Sequence, residues 1–283
     1  MDIDTDRINR YRGYLEEIIS FFEDFMLPDL ELISMRYPDY VELGHGTGDY
    51  ISVGGFVDLE GNSLFPAGAI VGGKHEPFNE KQVTEDVITV WYKLTGPLHP
   101  AQGVTEPDRG QPKAYSWIKA PRYKGLPVEV GPLARALIGG TEVPGRGALG
   151  RAWARVHEAY KLARTAFGWL ERLAPGEKTL NTATGRKSGT GVFEAMRGAL
   201  GHWITVDNGR ISHYQIVTPS AWNFSSRDEN GARSVGETSL LGLTIKGEEL
   251  KEAGRVIRSY DPCFSCTVHL LENNTRRTVN LPV

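Results

Sequence analysis

Cysteine is scarce in this sequence: the 283 residues include only two, Cys263 and Cys266. Two cysteines at CxxC spacing exclude a disulfide-stapled scaffold and point to metal or redox chemistry. Neither charge sign dominates, since the formal net charge is −3, and this balance argues against a nucleic-acid-binding surface. Long apolar runs are also absent, and no apolar segment typical of a secretory signal follows the acidic start MDIDTDRINR. We therefore expect any export or membrane attachment to come from a partner protein.

Helical and strand-like patterns are both present, and together they predict a helix-rich α+β fold with small antiparallel hairpins. Hydrophobic periodicity predicts helices at 6–26, 80–91, within GPLARALIGG, at 147–173 and at 247–258. We expect Pro28 to end the first of these helices, and we expect its many aromatic side chains to lie in the core. The hairpin signals are FVDLEGNSLF and HWITVDNGRISHYQIV, the second with Asn208-Gly209 at its turn.

The stretch SYDPCFSCTVHLL holds both cysteines and a histidine three residues beyond the second. Asp261 and the proline after it are typical of a helix start, where thiol pKa values fall and thiolates become ligands or nucleophiles. If the segment is helical, His269 lies about 120° around and about 9 Å along from Cys263, so the histidine suits a second site. A structural zinc site, a dithiol redox pair and two inert buried thiols all remain open from this stretch alone.

Several blocks of the sequence resemble one enzyme family. The segment DPCFSCTVH is similar to the C-terminal nickel-binding signature of nickel–iron hydrogenase large subunits. The blocks WIKAPRYKGLPVEVGPLAR, FEAMRGALGHWITVDNGRISHYQIVTPSAWNF and GRVIRSYDPC also resemble family blocks, in the family's order, over nearly the whole chain. The blocks HPAQGVTEP and APRY resemble the respiratory uptake branch.

The resemblance implies a metal-binding role for four residues. Cys263 would be a terminal nickel ligand and the first proton acceptor, and Cys266 would bridge nickel to an iron that carries cyanide and carbon monoxide. Soft thiolates suit both metals. His269, with the backbone carbonyl of Gln215, would bind a separate magnesium ion or second iron.

The resemblance also implies roles for residues around the metals. Arg197 would lie over the nickel–iron centre, where its guanidinium donates to a cyanide and polarises H₂, and Asp261 would orient it. Ser220 would donate to the other cyanide. Without the resemblance, Arg197 is interpreted as a surface charge and Ser220 as a turn residue beside a proline. Arg122, in APRY, is interpreted as structural.

Three departures from the family pattern shape the expected function. The family's N-terminal cysteine motif is absent, together with its proton-relaying glutamate and the acidic ligand of the third metal. Residues 1–269 therefore resemble the C-terminal portion of a large subunit, and another polypeptide must supply the rest unless the chain is a fragment. Met196 replaces the family's proline before Arg197. Residues 270–283 resemble the extension that a maturation endopeptidase removes after His269, although an ordinary tail is the alternative.

The expected function is reversible oxidation of H₂ to protons and electrons, with the electrons passed to an iron–sulfur small subunit. We expect a membrane-associated enzyme on the outer or periplasmic face, attached through that partner, and a cytoplasmic precursor. Alone, the chain is expected to be inactive. The alternatives are a non-catalytic metal-binding or interaction module derived from the same fold, and a CxxC thiol oxidoreductase.

Overall fold

The computed structural model describes residues 3–175, 187–246 and 250–263, and the backbone of 269–272 and 275–278. Within these ranges the α-helices are α1 (Thr5–Phe21), α2 (Leu27–Arg36), α3 (Pro132–Ile138), α4 (Ala148–Glu171), α5 (Pro219–Phe224), α6 (Val235–Ser239) and α7 (Lys251–Ser259). A π-helical turn, Phe22–Met26, joins α1 to α2. No helix in the described part of the chain is long and apolar enough to cross a membrane.

The strands all pair antiparallel. They are β1 (Tyr50–Ser52), β2 (Gly55–Val57), β3 (Ser63–Phe65), β4 (Gly68–Val71), β5 (Lys74–Glu76), β6 (Val83–Asp86), β7 (Ala120–Tyr123), β8 (Lys187–Ala195), β9 (Gly198–Asp207), β10 (Arg210–Val217), β11 (His269–Glu272) and β12 (Thr275–Thr278). The sheets are β1-β4-β5, β10-β9-β8, and the pairs β2-β3, β6-β7 and β11-β12. The three strands of the sheet β10-β9-β8 are the longest of these. The α+β prediction is confirmed.

The β9–β10 hairpin forms where its turn signal predicted. Asn208 and Gly209 have φ values of 48° and 73°. Positive φ at both positions is what a two-residue hairpin turn requires if it is to match the right-handed twist of its strands. The inward side chains of the two strands, including Trp203 and Val217, enter the main core cluster with Ile51, Val83 and Tyr123. The hairpin therefore anchors one side of the core.

Helix α4 is the longest helix and packs against α1, α2, α3 and α7. Its predicted range, 147–173, is confirmed to within two residues at each end. A second core cluster lies between α4 and α3 and includes Leu133, Ala134 and Ala154. A third lies under α7 and includes Val235 and Val256.

The prediction for residues 6–26 is wrong in two respects. The helix continues beyond Pro28, which lies in the first turn of α2 just after the π-helical turn, where the hydrogen-bond pattern changes in any case. The aromatic side chains are not core: α1 has no buried residue, Tyr11 and Phe25 are each 58% exposed, and Phe22 is only partly buried.

The helix predicted at 80–91 is also wrong. Residues Glu80–Gln82 form one 3₁₀ turn, and Val83–Asp86 is strand β6, paired with β7. The segment VTEDVITV is rich in β-branched residues, which lose χ1 freedom in a helix and pack well on a sheet. That preference outweighs the helical spacing of the apolar residues.

The helix expected to start at Asp261 does not start there. Asp261 follows the end of α7 with a left-handed backbone, φ 54°, and neither Pro262 nor Cys263 is helical. His269 begins β11, so the helical argument for its position does not apply. Cys266 lies outside the described residues, as does the side chain of His269.

Candidate metal centre

Cys263 lies against Ser220, which is the second residue of α5. The Ser220 hydroxyl is 3.0 Å from Cys263 Sγ, and it accepts a 3.4 Å contact from the Cys263 backbone N–H. Ser220 is buried, and Cys263 is a partly buried free thiol. The hydroxyl and the thiol are therefore within hydrogen-bond distance, and a thiol sulfur is a ligand that suits nickel and iron.

Arg197 approaches the same segment from the turn between β8 and β9. Its Nε donates to the Asp261 carbonyl oxygen at 2.6 Å, and its Nη2 donates to Asp261 Oδ1 at 3.2 Å. The two contacts fix the plane of the guanidinium. Arg197 is therefore held against Asp261, which lies two residues before Cys263 in the chain. About a quarter of the Arg197 side chain, 23%, remains exposed.

The turn that carries Arg197 is held by a second arginine, Arg135 of α3. Arg135 donates to the carbonyl oxygens of Ala195 and Met196, at 3.1 and 3.0 Å. Its guanidinium is buried between the carboxylates of Glu158 and Glu194. Burial raises the pKa of Glu194, and the Arg135 charge opposes that rise. Arg135 thus fastens the turn before Arg197 to α3 and, through Glu158, to α4.

Two arginines one turn apart on α4 hold the other side of the segment. Arg155 Nη2 donates to the carbonyl oxygen of Ser259 at 2.7 Å, and Arg151 Nη1 donates to the Ser259 hydroxyl at 3.3 Å. Arg151 is buried and forms a two-bond ion pair with Glu129, at 2.7 and 3.0 Å. The end of α7, which leads directly into Cys263, is therefore clamped to α4.

Gln215 belongs to a separate buried polar network. Its side-chain amide donates to Glu85 at 2.7 Å and accepts from the Thr105 hydroxyl at 3.0 Å. Lys119 lies 3.9 Å from Glu85 and donates to Thr105 and to the carbonyl of Val104. Burial raises the pKa of Glu85 and lowers the pKa of Lys119, and the attraction between the two opposes both shifts. The cluster thus places a carboxylate and an ammonium in a poorly solvated space.

Arg122 has the structural role that the sequence indicates. It is buried, pairs with Asp228 at 2.7 Å, and donates to Ser225 and to the carbonyls of Ala232 and Pro121. These contacts tie β7 to the loop after α5. Arg122 makes none of its described contacts with Cys263 or Arg197.

The structure brings together four of the residues singled out from the sequence, Cys263, Ser220, Arg197 and Asp261. Gln215 makes no described contact with them. In the ranges that the structure describes, no group of three or more histidine, cysteine or acidic side chains is arranged to hold a metal. The described part of the chain therefore supplies one thiol and its polar surroundings.

Sequence reasoning missed the three arginines that build the site, Arg135, Arg151 and Arg155. The signal that could have found two of them is their spacing of four residues in α4, which puts both side chains on one face of the helix. Arg135 lies in the apolar run PLARALI, and a charge on the buried face of a short helix requires a buried partner.

The family model described as nickel-dependent hydrogenase matches residues 1–146 and 144–269. The periplasmic [NiFeSe] hydrogenase large subunit of Desulfomicrobium baculatum is 32% identical over 302 residues, covering 96% of this chain and 59% of that protein. The Hydrogenase-1 large chain of Escherichia coli strain K12 is 29% identical, covering 99% and 58%.

Solved structures show the same likeness. The reduced Ni-Fe-Se hydrogenase from D. vulgaris Hildenborough superposes with a TM-score of 0.87 at 30% identity, covering 93% of this chain and 61% of that one. The H2-activated [NiFeSe]-hydrogenase of Dm. baculatum gives a TM-score of 0.86 at 31% identity. The chain thus spans about three fifths of the length of the proteins it matches.

Proposed function

Because this chain belongs to the nickel-dependent hydrogenase large-subunit family, we propose that it supplies the C-terminal half of a nickel–iron site that reversibly oxidises H₂ to protons and electrons. The contact between Cys263 and Ser220, directly beside the Arg197–Asp261 pair, carries this proposal. A lone thiol would be a weak indication. A thiol that contacts a buried hydroxyl, two residues after an aspartate that fixes a guanidinium, is suited to charge that develops at a metal.

The donor chemistry of the residues fits part of a nickel–iron group. Cys263 would be a terminal nickel ligand and Cys266 a bridge to iron, since thiolates suit both metals. One described thiol cannot complete such a site, so the proposal requires further cysteine ligands from a chain or segment that supplies the N-terminal portion of a large subunit. When bound, the group, with cyanide and carbon monoxide on its iron, supplies the chemistry that splits H₂.

In this proposal the residues of the chain have three roles: they bind the metal group, orient the groups around it and accept a proton. Cys263 Sγ would accept the first proton released from H₂, and the Ser220 hydroxyl lies 3.0 Å from this sulfur. If the group is bound, the Ser220 hydroxyl would turn to donate to one cyanide, and the Arg197 guanidinium would donate to the other. Asp261 keeps the Arg197 guanidinium in one plane, so no reorganisation is needed as charge develops.

His269 and Gln215 would hold a separate magnesium ion or second iron. The Gln215 side chain is already bonded to Glu85 and Thr105, so the proposed metal ligand is its backbone carbonyl. A carbonyl oxygen suits magnesium, and an imidazole suits iron.

Processing and partners follow from the same proposal. An endopeptidase would cut after His269 and remove residues 270–283. Because β11 begins at His269 and pairs with β12, this cut would detach the hairpin from the rest of the chain at its first residue. The electrons would leave to an iron–sulfur small subunit, since the two cysteines of this chain cannot ligate clusters in addition.

The proposed location is membrane-associated, on the outer or periplasmic face through the partner subunit, after synthesis as a cytoplasmic precursor. Relatives of this chain are named periplasmic and uptake hydrogenases. That naming supports the proposal for this chain.

Metal analysis tests the proposed function. The chain is co-produced with the N-terminal portion of a large subunit, a small subunit and a maturation system, and nickel and iron are measured together with H₂ uptake. We expect both metals and activity in the wild type, loss of nickel and activity in Cys263→Ser, and no change in Ser188→Ala, an exposed position on β8. Without the N-terminal portion we expect no activity. Activity of the chain alone would contradict the proposal, and zinc alone or no metal would favour a non-catalytic module.

A further inference from the structure

The guanidinium of Arg197 reaches the candidate metal centre from a two-residue turn between β8 and β9. Met196 and Arg197 form this turn, and the strand pairing closes it at Ala195 and Gly198. In the described part of the chain, the tip of the Arg197 side chain is bonded to Asp261 alone, through its carbonyl and its carboxylate. A long, flexible side chain that is held at its tip also depends on where its backbone lies. The position of the turn therefore decides where the guanidinium can be.

Helix α3 restrains this turn in two directions. Gly131 immediately precedes α3, and a Cβ at this position would come within 3.0 Å of the Arg197 carbonyl oxygen. The two backbones are thus in contact, and the turn has no room to move towards α3. Four residues later, Arg135 donates to the carbonyl oxygens of Ala195 and Met196 at 3.1 and 3.0 Å. The turn cannot move away from α3 without breaking both bonds.

The Arg135 guanidinium is itself fixed by two carboxylates. Its Nε and Nη2 donate to the two oxygens of Glu158 at 2.6 and 2.5 Å, and its Nη1 donates to Glu194. With the two carbonyls of the turn this makes five bonds, which uses all five N–H groups of an arginine. A lysine has three N–H groups and no fixed plane, so it cannot serve both carboxylates and both carbonyls at once.

We infer that Arg135 is a positioning residue for Arg197, and that it sets the place of the Arg197 guanidinium through the backbone of the turn. This inference rests on the proposed function, which puts that guanidinium beside the metals. The competing interpretation is an ion pair that only stabilises the core. The variant Arg135→Lys separates the two, because it keeps a positive charge between the carboxylates and removes bonds that the turn requires.

Solvent exchange of the Arg197 Nε–H measures the placement of the guanidinium in the full chain without metal. This N–H donates to the Asp261 carbonyl oxygen at 2.6 Å, so it exchanges slowly while the guanidinium stays in place. The signal is observed by NMR in protein labelled with ¹⁵N-arginine and is assigned by its loss in Arg197→Lys. We expect Arg135→Lys to speed the exchange by about tenfold, as the loss of two backbone hydrogen bonds would.

The variant Arg122→Lys is the matched control. Arg122 is also a buried arginine, 2% exposed against 3% for Arg135; it pairs with Asp228 at 2.7 Å and donates to backbone carbonyls. None of its described contacts is with the turn. Both lysine variants should lower the unfolding midpoint, whereas only Arg135→Lys should speed the exchange. An equal rise in the exchange rate of both variants, or no rise in Arg135→Lys, would overturn the inference.

The variant Met196→Pro tests the route through the turn. Neither Met196 nor Arg197 has a positive φ, and no described group accepts a bond from the Met196 N–H. Ala195 ends a strand, so proline is compatible with the residue before it and suits the first central position of the turn. Added to Arg135→Lys, it should slow the exchange again by about 2–5-fold, as a preset φ does. The unfolding midpoint should stay low, because the carboxylates keep the poorer partner. A double variant that exchanges as fast as Arg135→Lys would refute the route through the backbone and with it the inference.

Activity is a separate readout. In the assembled enzyme, with nickel and iron content unchanged, Arg135→Lys should lower kcat for H₂ uptake several-fold and leave KM unchanged, because Arg197 acts on charge that develops in the transition state. If the assembled protein binds neither nickel nor iron, the proposed function fails, and the exchange rates still decide whether Arg135 positions Arg197.

Discussion

Arg151 joins α4 to the end of α7, and its replacement by methionine tests whether this buried charge holds the segment that leads into the candidate metal centre. The guanidinium bonds Glu129 through Nε and Nη2, donates to the Gly44 carbonyl at 2.9 Å and to Ser259 at 3.3 Å, and lies 3.7 Å from the centre of the Tyr260 ring. Both partners of the ion pair are 1–3% exposed. Methionine preserves most of the volume and removes every polar contact.

The expected cost follows from the charge left behind. Removing one partner of a buried ion pair costs about 3–5 kcal/mol, because the other charge stays buried without compensation. For a chain of this size 1 kcal/mol corresponds to about 2–4 °C in the unfolding midpoint. We therefore expect Arg151→Met to lower the midpoint by roughly 6–20 °C in a thermal unfolding scan of the full chain.

A double-mutant cycle separates the pair from the other contacts of Arg151. Glu129→Met alone should also destabilise strongly, because it leaves the guanidinium unpaired. The double variant removes both charges, so its loss should be smaller than the sum of the single losses by about 1–3 kcal/mol. Losses that add to within about 0.5 kcal/mol would refute the reasoning, since Arg151 would then act only through Gly44, Ser259 and Tyr260.

Two further predictions concern the buried lysine and the second arginine of α4. Lys119→Met leaves Glu85 buried without its positive neighbour, and burial raises the pKa of that carboxyl above its ordinary value of 4.5. The folded state then keeps a proton that the unfolded state releases, so stability should fall as the pH rises above about 4.5. Unfolding midpoints measured against pH should show this fall in Lys119→Met and should not show it in Glu85→Gln with Lys119→Met. Arg155→Ala removes the bond to the Ser259 carbonyl, the last carbonyl of α7, and so loosens the segment that leads into Cys263. Alkylation of Cys263 should therefore become several-fold faster, as followed by peptide mass spectrometry. Arg164→Ala, exposed on the same helix, should leave the rate unchanged.

Elements with strong local signals could be predicted from the sequence. Local sequence determines both the long helix α4, through its apolar periodicity, and the β9–β10 turn, through Asn208-Gly209. The structure places both elements where the sequence predicts them. The turn needs left-handed backbone at both positions, and asparagine and glycine tolerate that conformation best.

The wrong predictions, at residues 80–91 and in the first helix, relied on the spacing of apolar residues alone. The apolar periodicity of β6 matches a helix, but its β-branched residues and its pairing with β7 decide for a strand. The aromatic stripe of α1 has the pattern of a core face and lies at the surface. Periodicity shows that a face is to be buried, and it does not show whether this chain or another one buries it.

Among the residues of the candidate metal centre, too, those in local motifs could be predicted and those that make long-range contacts could not. Cys263, Ser220, Arg197 and Asp261 were found through a resemblance of local motifs, and in the structure Ser220 contacts Cys263 while Arg197 contacts Asp261, two residues earlier in the chain. The residues that hold them could not be found like this, because each bond joins distant parts of the chain. The contact from Arg155 to Ser259 spans 104 residues.

The replacement of the family's proline by Met196 need not loosen Arg197. Proline would fix the backbone before the arginine by restricting one torsion angle. In this chain the Arg135 guanidinium, held between two carboxylates, bonds the carbonyls of Ala195 and Met196. A Cβ at Gly198 would come within 2.7 Å of the backbone N of Gly131, so the turn also packs directly against the start of α3. Because these restraints act on the main chain, the side chain of Met196 can remain 65% exposed while Arg197 keeps both bonds to Asp261.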